Sequence, residues 1–260
     1  MSAAGQAPAG SLSERVAVGE RWIVLVALAL AAAGGLLATL RVGDTLMLPS
    51  PPDAASLAYA ALLFIMWWTM MMAMMLPSAA PAILTYGAMS RRFAGQGATV
   101  APVALFASGY AAIWTVFSAA AVALQLLTRT LIPLTGMMAV SSTIAGGAIL
   151  VAAGTYQLTP LKYACLRNCQ SPLMFFAHNW RPGNRGAWRM GLTHGLFCLG
   201  CCWVLMGLLF YGGVMEPAWI IGIAAYVAAE KIIPAGSRVS RLAGMALIVW
   251  GTFELYRALN

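Results

Sequence analysis

Apolar runs of about 20 residues, the length that crosses a bilayer as a helix, recur from one end of this chain to the other. Of its 260 residues 62% are hydrophobic and only 8% charged, against about 25% charged in an ordinary water-soluble domain. Such a chain buries its surface in lipid, where every backbone N–H and C=O must be satisfied internally by a helix or a closed barrel. The runs are long and lack the alternation of barrel strands. The expected fold is therefore all-α, a polytopic membrane helix bundle of about seven transmembrane helices at 22–40, 60–84, 100–126, 137–159, 188–213, 217–234 and 239–257.

The net charge of +8 is a topology signal rather than a nucleic-acid signal, because the cations alternate between the two sides. With the N-terminus inside, the inner segments hold Arg15, Arg21, Arg91, Arg92, Lys162, Arg167, Arg181, Arg185, Arg189, Lys231, Arg238 and Arg241. The outer ones hold only Arg41, Arg129 and Arg257. That asymmetry predicts N-in, C-out, in a bacterial inner membrane. Residues 1–20, rich in Ala, Gly and Ser, read as a disordered cytoplasmic tail. The first apolar run extends to Leu40, longer than a signal-peptide core, so the span is expected to be retained. Residues 21–260 then form a single transmembrane helical domain. Its segment at about 160–187, with four cations, no acids and several aromatics, reads as a basic amphipathic inner loop on an anionic leaflet.

Inside the fifth run stands His194-Gly-Leu-Phe-Cys-Leu-Gly-Cys-Cys-Trp203. Ionisable groups at membrane depth are costly and mark substrate or ion paths. His194 and Cys198 are one helical turn apart and Cys201 is three residues on, so all three share one face, with Cys202 beside them and Met206 further round. Imidazole and thiol are ligands that Cu(I) and Zn(II) prefer. The plain alternative is that these cysteines are small hydrophobes filling a core. The second run carries Met70, Met71, Met72, Met74 and Met75. Five thioethers in six positions encircle a helix, so some face inward whatever its rotation. Thioether sulfur suits Cu(I) and is a poor zinc ligand, so copper is the first choice and zinc the alternative.

Pro77 and Pro81 predict a kink in that helix near 73–77, and Trp67 and Trp68 read as interface anchors. Gly136, Gly146 and Gly147 would let helices approach closely. Cys165 and Cys169, spaced i, i+4 among cations, are candidate receivers at the inner face, where a stable disulfide is not expected. His178 reads as an interfacial residue beside Trp180. Glu230 and Lys231 are either a snorkelling pair or part of an ion pathway.

The order of these motifs resembles a bacterial family of predicted metal-binding integral membrane proteins of unknown function. The resemblance rests on Met71-Met-Ala-Met-Met-Leu-Pro-Ser78, Tyr156-Gln-Leu-Thr-Pro-Leu-Lys162, Cys165, Cys169-Gln-Ser-Pro172, His178, Arg181, Gly191, His194-Gly195, Cys198-Leu-Gly-Cys-Cys-Trp203, Met206 and Glu230-Lys231. It covers roughly residues 60–250 and implies metal binding, with His194, Cys198, Cys201, Cys202 and the Met70–Met75 cluster as site members.

Three functions compete at this point. The first is binding and transfer of a soft ion, most simply Cu(I), by a transporter or a delivery helper whose partner is a metallochaperone or a membrane metalloenzyme. The second is a membrane oxidoreductase working through Cys198, Cys201 and Cys202. The third is a metal-independent scaffold subunit. The sequence holds no phosphate-binding Gly-rich loop, and no catalytic group is specified.

Overall fold

The computed structural model describes residues 10–46, 57–94, 101–128, 138–233 and 236–260, and among these it is helical with no sheet. The helices are α1 (Gly10–Leu46), α2 (Leu57–Ser78), α3 (Ala80–Ala94), α4 (Val103–Thr128), α5 (Thr143–Gln157), α6 (Pro160–Gln170), α7 (Pro172–Asn179), α8 (Gly183–Met206), α9 (Leu209–Gly212), α10 (Pro217–Ile232) and α11 (Gly236–Leu259). Five helices are long and apolar enough to cross a membrane, and a sixth if α5 and α6, bent by 65°, count as one span. The remaining candidate, α10, has only 16 residues. α1 begins at Gly10, so part of the expected tail is helical. Residues 1–9, Arg129, Gly136 and Pro234 lie outside the described residues.

Helix breaks fall where backbone donors are missing. Pro77 and Pro81 cannot donate, and the second run divides into α2 and α3 around Ala79. The break comes two residues beyond the expected kink region of 73–77. The Met75 carbonyl there accepts from Ala79 N at 3.2 Å, Ser78 Oγ at 2.9 Å and Tyr110 OH at 3.0 Å. α6 starts the same way: Thr159 caps it by accepting from Lys162 N at 3.3 Å and Pro160 occupies its first turn.

Two tight helix pairs shape the bundle. On α5 and α11, Gly147 and Gly154 face Gly251 and Gly244, each pair seven residues apart. A Cβ at any of them would lie 2.6 to 3.1 Å from the opposite glycine's carbonyl oxygen. Small residues at such contacts let two helix backbones approach closely and gain packing energy. Gly146, by contrast, meets the Tyr211 ring. On α4 and α8, a Cβ at Gly191 would strike the Phe106 carbonyl and one at Gly109 the Trp188 carbonyl. That close approach brings His194 and Cys198 against Tyr110. α1 and α11 turn Ile23, Val26, Leu30, Leu37, Leu242, Val249 and Phe253 outward, an apolar exterior.

The segment at 160–187 does not lie apart from the bundle. Lys162, Leu166 and Cys169 form the buried face of α6, and Phe175 and Phe176 that of α7. Arg167 and Leu173 stay exposed. α7 inserts its two rings among Tyr86, Phe106, Trp180 and His194.

Candidate metal centre

Cys198 is where four helices meet. Its Sγ lies 3.0 Å from Tyr110 OH of α4 and accepts from Lys231 Nζ of α10 at 3.0 Å. The same ammonium donates to Ser78 Oγ at the end of α2, 2.8 Å away. Cys201 and Cys202 each place Sγ 3.0 Å from the Cys198 carbonyl, a helix-local contact that aims both thiols along one face. Cys202 Sγ also lies 3.9 Å from Met75 Sδ. The second and fifth apolar runs therefore touch, sulfur to sulfur. Cys169 is buried on α6, which packs against α8.

His194, one turn before Cys198, is 3% exposed and sits between Phe175, Phe106 and Tyr110 at ring-centroid distances of 5.1, 5.9 and 6.0 Å. Its Nδ1 has no hydrogen-bond partner. A buried ring nitrogen without a partner costs about 1–3 kcal/mol, a penalty that a ligand at that nitrogen would remove.

The other expected site residues divide. Met70, Met71 and Met74 are buried with Met75 on α2, and Met206 is buried one turn beyond Cys202. Cys165 is half-buried, its Sγ against the backbone of Gly200. His178 is exposed and bonds the Met174 carbonyl through Nδ1 at 2.9 Å. Among the described residues no three His, Cys, Asp or Glu side chains stand in the arrangement of a ready-made metal site. The donor set that does converge is thiol and thioether.

Glu230 and Lys231 do not pair with each other. Lys231 turns to Cys198, whereas Glu230 receives Lys162 Nζ at 2.8 and 2.9 Å on its two oxygens. Tyr226 OH donates to Glu230 Oε1 at 2.5 Å and Gln157 Nε2 at 3.3 Å, and Gln157 Oε1 accepts from Lys162. Adjacent residues on a helix point about 100° apart, so a neighbour pair was never geometrically open to them. Trp67 is likewise no interface anchor: it is buried, and its Nε1 donates to Gln125 Oε1 at 2.8 Å. Trp68 remains partly exposed and donates to Thr115 Oγ1 at 2.9 Å.

Lys162, Tyr110 and Ser78 are the residues that sequence reasoning missed. Lys162 reads as one of four loop cations, and only its place three residues after Thr159, at the Thr159-Pro160 helix start, marks it as helical. The family described as "PpoB2: Copper chaperone" matches residues 64–253, well over half of the chain. The chain belongs to this family. No curated protein and no solved structure matches it. The stretch shared with the copper chaperone family contains every sulfur atom named at this centre, from Met75 to Cys202.

Proposed function

We propose that this copper chaperone family member binds Cu(I) within the membrane at the Met75–Cys198–Cys202 cluster, with Cys169 and His194 adjoining, and delivers it to an acceptor protein. The observation that carries this reading is the convergence of α2 thioether and α8 thiols at one buried point beside an unpartnered imidazole. Soft sulfur donors select Cu(I) over harder divalent ions. Lys231 offers a counter-charge when Cys198 is a thiolate, and Tyr110 orients the same sulfur. Such outer partners tune metal affinity as strongly as some ligands do.

Half-buried Cys165 and buried Cys169 share one face of α6, so they provide a way from the cluster to the bundle's edge. In this reading α10 completes seven spans with the N-terminus inside, the Cys165 end faces the cytoplasm, and the membrane is the bacterial inner membrane. Neither helix carries a nucleotide-binding loop, so the movement is ligand exchange between sulfurs rather than ATP-driven pumping.

The test is anaerobic loading of the detergent-purified chain with Cu(I), followed by elemental analysis. About one copper per chain is expected in the wild type, lost in Cys198→Ser and weakened in Met75→Leu. Wild-type protein that takes up no copper sinks the proposal. Copper retained by Cys198→Ser while thiol–disulfide reactivity disappears would favour the oxidoreductase instead.

A further inference from the structure

Met138 is the one non-glycine residue with a left-handed backbone among those described, at φ 56°. An L side chain crowds the backbone there, and Gly or Asn adopts the region far more readily. The turn is held from both sides: Val140 N donates to the Phe210 carbonyl at 2.7 Å, and the Met138 side chain is buried at 7% exposure. A strained conformation kept in place by its surroundings motivates a functional reading. What methionine offers that Gly or Asn does not is a flexible apolar stem ending in a thioether.

That thioether is directed inward. Met138 Sδ accepts from Gln125 Nε2 at 3.5 Å, and the other end of the same amide, Oε1, takes the Trp67 N–H at 2.8 Å. On α2 the residues Trp67, Met71 and Met75 follow at i, i+4 and i+8, so they share one face of the helix, and all three are buried. This stripe rises about 12 Å. It begins beside the Gln125–Met138 contact and ends at Cys202.

We propose that Met138 is a receiving site for Cu(I) at this end of the bundle, from which the ion passes by way of Met71 and Met75 to the α8 thiols. The inference rests on the functional reading above and adds its point of entry. The chemistry is ligand exchange alone: at each handover a new copper–sulfur bond forms before the old one breaks, and the ion stays Cu(I) throughout. At the first step the Gln125 amide N–H gives up the Met138 sulfur. The thioether is a weak acceptor, so the sulfur is readily released.

The experiment follows Cu(I) uptake by the purified full chain under anaerobic stopped flow, with the ion supplied from a chromogenic chelator. A Cys165→Ser background closes the opposite end. Met138→Leu keeps the bulk and loses the sulfur; Met138→Asn loses the sulfur and suits the backbone. Both are expected to reach the wild-type copper content and equilibrium affinity, with loading slowed by about tenfold or more. Wild-type loading rates in both variants would overturn the proposal. So would a loss of equilibrium copper matching that of Met75→Leu, because Met138 would then belong to the storage site itself. If the parent protein binds no Cu(I) at all, the functional reading falls first and this inference with it.

Discussion

Lys162→Met isolates the cost of an unpaired charge deep in the bundle. Lys162 and Glu230 are 0% and 1% exposed, 68 residues apart in sequence, and joined by two charge-assisted bonds of 2.8 and 2.9 Å. Taking both groups out of water costs several kcal/mol per ion, and their attraction repays this only because the remaining lone pairs are also satisfied. Tyr226 and Gln157 do that here. Removing the lysine alone leaves a carboxylate with two neutral donors and no cation, a loss of about 3–5 kcal/mol. Glu230→Gln alone strands a buried ammonium at similar cost. The double variant Lys162→Met/Glu230→Gln restores neutrality and keeps an acceptor for Tyr226 OH, so it should recover most of the loss. Because the double variant falls far short of the sum of the two single losses, the cycle should show a coupling of about 4 kcal/mol or more. The assay is unfolding in mixed micelles with SDS, followed by circular dichroism. Single variants within about 1 kcal/mol of wild type, with additive effects, would mean that the pair is hydrated and refute the reasoning.

Two further changes test how the centre is held. Gly191→Ala places a Cβ against the Phe106 carbonyl and 3.0 Å from Tyr110 N, so it should part α4 from α8, cost about 1–3 kcal/mol and weaken Cu(I) binding. Gly34→Ala, where a Cβ meets nothing within 4 Å, should stay within about 0.5 kcal/mol in the same unfolding assay. Tyr110→Phe removes the hydroxyl from Cys198 and from the Met75 carbonyl. It should lower Cu(I) affinity by about tenfold in a chelator competition; an unchanged affinity would show that Tyr110 does not orient the cysteine.

The helical bundle, the proline break and the shared face of His194, Cys198 and Cys201, with Cys202 beside them, were legible in the sequence because each depends on local spacing. The choice of inward methionine was not. Five methionines encircle α2 and are buried alike, and only the tertiary approach of α8 singles out Met75. Lys162 was hidden for a related reason: its partner lies on α10, and the loop cations Arg167, Arg181 and Arg185 make it read as one of a solvated set. Trp67 misled because a tryptophan in an apolar run suits a headgroup anchor as well as a buried donor, and Gln125, which decides between them, is 58 residues away. Met138 carried no signal at all, since an unfavourable backbone angle is visible only once the turn is built.

The adjacency of Glu230 and Lys231 ties the two buried polar clusters together. Successive helical residues diverge by about 100°, so if Glu230 faces Lys162 on α6, Lys231 must point toward a different neighbour, and here that neighbour is Cys198. Both charges lie in the last turn of α10, where Gln170 Nε2 also bonds the Glu230 carbonyl at 2.8 Å. Any rotation of α10 that brought Lys231 away from the thiol would draw Glu230 out of its lysine as well. The ion pair between α6 and α10 thus does more than hold two helices together: it fixes the angle at which the ammonium meets Cys198. It does so from α6, the helix that also carries Cys169 and Cys165.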